Sequence, residues 1–141
     1  MARELARVGR VAAKLLFAAL FLTSGVMHFT RTDLFARIIP PSFPEPRWLV
    51  WFSGVCEIAL GVMLLIPATS RLAAWGLIAL LIAVFPANIY LYRHQDLIPT
   101  ALPPLVHLLR LPFQGVLILW AYAYTRDRRS APDLDPDRRP T

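Results

Sequence analysis

Five polar side chains stand inside long apolar runs of this chain: His28, Glu57, Asn88, Arg110 and Gln114. Their chemistries complement one another. An imidazole exchanges a proton near neutral pH, a carboxylate accepts hydrogen bonds and protons, and a guanidinium and two amides donate. Glu57 makes the strongest demand. It lies near the centre of residues 48–66, WLVWFSGVCEIALGVMLLI, with no other acidic or basic side chain in the run. A run of this length can cross a bilayer. A charge at its centre costs about 2.5–3.5 kcal/mol on insertion scales. The ten Leu, Ile, Val and Phe residues of the run offset roughly that much, at about 0.3–0.6 kcal/mol each. A carboxyl at such depth binds something, moves protons, or pairs with another buried group.

The elements that must position these residues are four apolar runs, at about 11–29, 48–66, 72–92 and 105–124. The chain therefore reads as all-α, an integral membrane four-helix bundle occupying 1–125, with 126–141 a charged, proline-bearing tail expected to be disordered. The first run could be mistaken for a signal peptide. Its length, and the lack of a clear cleavage site after it, favour an uncleaved helix. PATSR alone separates the second and third runs, which predicts a tight antiparallel hairpin. Between the first two runs, residues 30–47 predict a short interfacial helix with Thr30 or Thr32 as N-cap and Leu34, Phe35, Ile38 and Ile39 on its apolar side. Pro40, Pro41, Pro44 and Pro46 then forbid helix.

With four spans, both termini and the second loop share one side, which holds ten of the 15 Lys and Arg residues. That asymmetry predicts both termini in the cytoplasm. His28 and Asn88 then fall toward the outer ends of their spans, and Glu57, Arg110 and Gln114 between the outer third and the middle. Gly54 and Gly61 stand three before and four after Glu57, so a close-packed helix should face it. Gly25 and His28 share a face in the same way. His107, Arg110 and Gln114 form one stripe that continues as Leu117, Ile118 and Ala121. The expectation is an outward-facing polar pocket with a dry floor, in which Arg110 is the counter-charge of Glu57. Pro86 and Pro112 should free the carbonyls of Ile82 and Leu108, either to line that pocket or simply to kink the helices.

The composition narrows the classes. The 141 residues are 57% hydrophobic and only 17% charged, against about 45–50% apolar in soluble domains. The net charge of +6 comes from arginines flanking apolar runs, where they meet lipid headgroups, so the partner is a lipid bilayer and no nucleic acid is expected. One cysteine, Cys56, precludes an internal disulfide and reads as a structural thiol. No metal site is expected, because no zinc-ligand spacing exists, and two histidines, His28 and His107, do not by themselves define a haem site. No phosphate loop, dinucleotide fingerprint or stand-alone catalytic motif is present.

Several segments together resemble the DoxX family of small four-span bacterial membrane proteins. They are GVMHF at 25–29, RIIPP at 37–41, SGVCEIALG at 53–61, LLIPATSRLAAWGLIALLIAVFPANI at 64–89 and LRLPFQGVLILWAYAYT at 109–125. The resemblance implies a bacterial inner-membrane location and a link to quinone-coupled oxidation, as a subunit beside a membrane redox partner. From the residues themselves, a quinone headgroup suits the donors His28, Asn88, Arg110 and Gln114, with Glu57 to take a proton. The competing expectation is a non-catalytic assembly or scaffold protein whose buried polar groups form a packing network. A homo-oligomer is compatible with both.

Overall fold

The computed structural model describes residues 1–97 and 103–126. The described residues form five α-helices, α1 Ala2–Thr30, α2 Thr32–Arg37, α3 Pro46–Leu65, α4 Ser70–Arg93 and α5 Pro104–Thr125, with a 3-10 turn at Gln95–Leu97. There is no strand among the described residues. Helices α1, α3, α4 and α5 are each long and apolar enough to cross a membrane. The architecture is the four-helix bundle expected from the apolar runs, with the short helix α2 following the first long one. The tail from residue 127 onward, with the disorder expected of it, and loop residues 98–102 lie outside the described residues.

Prolines and local hydrogen bonds set the helix ends. Pro46 occupies the first turn of α3, where its missing N–H costs nothing. Before it, Glu45 takes a left-handed conformation with φ 48°, wedged between Pro44 and Pro46. At the far end Ile66 is extended, φ −86° and ψ 118°, as the residue before Pro67 must be. Thr69 closes the α3–α4 hairpin by donating its hydroxyl to the Met63 carbonyl at 2.8 Å. Helix α2 begins at Thr32, but no side chain caps it. The Thr32 hydroxyl instead turns back to the His28 carbonyl at 2.8 Å.

Helix α1 packs mainly on α3, α5 packs on α4, and α3 joins the two pairs. Glycines make the contacts close. A Cβ on Gly25 would sit 2.7 Å from Ile58 and 2.9 Å from the Gly54 carbonyl oxygen, and one on Gly76 would sit 2.5 Å from Leu60. The apolar core fills the half of the bundle nearer the termini. Phe17, Ala18 and Phe21 of α1 meet Leu64, Ala73, Ala74, Leu77, Ile78, Leu81 and Ala121 there. The Phe17 ring lies 4.8 Å from Trp120 and 5.8 Å from Tyr124, which brings α1 against α5 at that end. At the opposite end Ile38 and Leu91 form a small cluster with Leu34 and Phe35, which seats α2 against the end of α4. Between these two apolar clusters stand His28, Ser53, Glu57, His107 and Gln114, while Ser70 and Thr125 are buried at the end nearer the termini.

Candidate functional site

His28, Ser53, Glu57, His107 and Gln114 are all buried, and all sit in the half of the bundle nearer α2. Asn88 is half-buried beside them. The structure divides the predicted residues into two couples on different helix pairs. His28 and Glu57 join α1 to α3, while Asn88 and Gln114 join α4 to α5.

The α1–α3 couple is built on the glycine contact. Gly25 lies against Glu57, and Gly54 lies against His28, so neither pairing tolerates a larger residue on the facing helix. His28 Nδ1 stands 3.6 Å from Glu57 Oε2, beyond hydrogen-bond length. The same Nδ1 lies 2.8 Å from the Ser24 carbonyl oxygen, one turn back on α1. A carbonyl oxygen only accepts, so Nδ1 carries the proton and directs it along its own helix. Glu57 Oε2 is consequently buried with no hydrogen-bond partner among the described residues. The Ser24 side chain is within reach of the same carboxyl group. Helix α2 covers the couple: the Phe35 ring stacks on the imidazole at 4.1 Å and 21°. Two contacts hold α2 down. Trp51 donates its indole N–H to Thr32 at 3.1 Å, and Arg47 pairs with Asp33 at 2.6 Å.

The α4–α5 couple has the opposite character. Asn88 Nδ2 donates to Gln114 Oε1 at 2.8 Å, and Gln114 Nε2 donates to the Leu81 carbonyl. Pro86 lies within α4, and the carbonyl that its missing N–H frees is that of Ile82. Gln114 instead engages the carbonyl of Leu81, one residue earlier, as a bond between α5 and α4. Both ends of the Gln114 amide are occupied.

The expected ion pair between Glu57 and Arg110 does not form. Arg110 is exposed, and among the described residues the basic group beside the carboxyl is His28. The stripe at 107, 110 and 114 spans about 60° of helix circumference at 100° per residue. The helix seam covers His107 and Gln114 at its two ends in sequence, and Arg110 falls over the edge. His107 is buried, and its Nδ1 has no partner among the described residues. Ser24, Thr32 and Phe35 take part in the site although the polarity pattern did not single them out for it. The one sequence signal for Ser24 is its position four before His28, within a helical turn. No group of three His, Cys, Asp or Glu residues suited to a metal occurs among the described residues, and the cysteine is free and half-buried.

Fold and site together define a small four-helix protein, suited by length and apolarity to a membrane, that buries an acid–imidazole couple at one end. Within that class, the chain belongs to the family described as Domain of unknown function (DUF8561), whose sequence model matches residues 17–125. No curated protein and no solved structure matches it. The family match overturns the resemblance to DoxX, and the redox-complex role implied by that resemblance loses its support. The segments that carried it are apolar helices punctuated by Gly, Pro and a few polar residues. Bilayer thickness and close helix packing favour such patterns in unrelated four-span proteins.

Proposed function

We propose that the chain is a multi-pass protein of a bacterial inner membrane, with both termini in the cytoplasm, that binds a small lipid-soluble molecule at the His28–Glu57 couple. The observation that carries this reading is Glu57 Oε2, a buried oxygen for which the neighbouring imidazole supplies no donor. Buried polar atoms are ordinarily paired. Ser24 lies within reach of the carboxyl group but leaves Oε2 unpaired, so an O–H or N–H of a bound molecule has an acceptor there. A quinone-like headgroup in its hydroxyl-bearing, reduced form provides one. Its ring and tail suit the surroundings of Phe35 and the lipid-facing residues. The apolar core lies on the side of the termini, which favours exchange of a proton held by Glu57 with the α2 side. The arginine and lysine asymmetry makes that side the outer one.

The test is binding of decylubiquinol to the purified protein in nanodiscs, followed by Trp fluorescence. Glu57→Leu removes the acceptor and should weaken binding about tenfold or more, the worth of one hydrogen bond to a charged group. Equal binding by wild type and Glu57→Leu overturns the proposal. The alternative, a scaffold whose polar groups only fix packing, draws its support from the closed Asn88–Gln114–Leu81 chain.

A further inference from the structure

Arg110 is a cation exposed on the flank of a helix otherwise suited to lipid. It sits six residues into α5, about 9 Å from the helix start at 1.5 Å per residue. On the same stretch Leu105, Leu108, Leu109 and Phe113 are exposed. Helix α5 contains no acidic residue, and Arg110 makes no ion pair or hydrogen bond among the described residues. An unpaired charge among lipid-facing side chains draws a counter-ion or reaches for the headgroup layer. The direction of that reach is set by the helix. Side chains tilt toward a helix's N-terminus, and the N-terminus of α5 is at the α2 end of the bundle. The guanidinium therefore extends toward the nearer headgroup layer rather than into the hydrocarbon.

We infer that Arg110 binds the phosphate of a phospholipid in the leaflet at the α2 end, holding one lipid against the α5 flank. A guanidinium presents two parallel N–H donors that match phosphate oxygens. Such a contact neutralises a charge exposed among the apolar side chains of the α5 flank, and it does not depend on the His28–Glu57 couple.

Native mass spectrometry of protein released from phosphatidylglycerol nanodiscs tests this. Wild type should retain a phospholipid, Arg110→Gln should retain it about tenfold less or worse, and Arg110→Lys should fall between, as a point charge without the fork. Melting of the lipid-free variants in detergent should match wild type, which separates lost binding from lost fold. In nanodiscs of a phosphate-free glycolipid, no lipid should be retained at this level. Equal retention by wild type and Arg110→Gln, or retention of glycolipid as strong as that of phospholipid, overturns the inference.

Discussion

The two polar couples of this bundle lie in the same half of the molecule and differ in one respect. Gln114 uses both ends of its amide, accepting from Asn88 and donating to the Leu81 carbonyl of α4. Glu57 faces a histidine whose proton is already committed to Ser24, and one of its oxygens goes without a donor. The first couple is closed and ties α5 to the backbone of α4. The second leaves an interaction open and covers it with Phe35. Burial alone would have classed them together. Counting donors against acceptors separates a packing device from a binding device.

The largest change should come from the packing that creates the open couple. Gly25→Ala places a methyl 2.7 Å from Ile58 and 2.9 Å from the backbone of Gly54, and a backbone carbonyl cannot swing aside. Overpacking of this kind costs about 1–3 kcal/mol, read as a lower melting temperature together with lost ligand binding. Gly115→Ala is the control, because nothing lies within 4 Å of the added carbon, and it should melt with wild type. Equal losses in the two variants would show that α1 and α3 do not meet through Gly25.

The closed couple should give the next largest effect. Gln114→Leu strands both the Leu81 carbonyl and the Asn88 amide. Interhelical hydrogen bonds in membranes contribute about 0.6 kcal/mol on average and up to about 1.7, so a loss near the upper figure is expected in unfolding from nanodiscs. Asn88→Leu should cost less, near the average, since Gln114 keeps its bond to Leu81. If Asn88→Leu is the more damaging of the two, the amide of Gln114 is not the hub of this network.

Much of this was legible in the chain. The four helices follow from apolar run length, and Gly25, Gly54 and Gly61 at helical spacing around His28 and Glu57 mark faces on which another helix packs closely. Helix adjacency was not legible. A sequence specifies that α3 and α4 are hairpin neighbours, but whether α1 rests on α3 or on α5 is decided by side-chain fit, so five polar residues at similar depth looked like one cluster. Arg110 shows the same limit at a single position. Its spacing from His107 and Gln114 matches a common stripe, yet the covered arc of a helix is narrow enough to bury 107 and 114 and leave 110 outside. Pro86 announced a freed carbonyl at Ile82, whereas the amide of Gln114 bonds the carbonyl of Leu81, a choice set by the register of α5. The family resemblance rested on segment patterns that membrane helices share, and the match over 17–125 corrected it.

The smallest stability effect should belong to the residue with the largest functional one. In Glu57→Gln the amide oxygen can take the place of Oε2, where no donor is lost because none was present. The amide nitrogen then faces the Ser24 hydroxyl, which can accept as well as donate. The change in unfolding free energy should stay below about 0.6 kcal/mol, the average for one interhelical bond, while binding of a hydroxyl-bearing ligand weakens because an amide cannot take up a proton as a carboxyl group can. Unfolding of Glu57→Gln beside Gln114→Leu, in the same nanodiscs and with ligand titrated into each, sets the two couples against each other. A stability loss in Glu57→Gln as large as that in Gln114→Leu would mean that the carboxylate is as fully engaged as the amide. The contrast between an open and a closed couple would then fall, and with it the case for a ligand at Glu57.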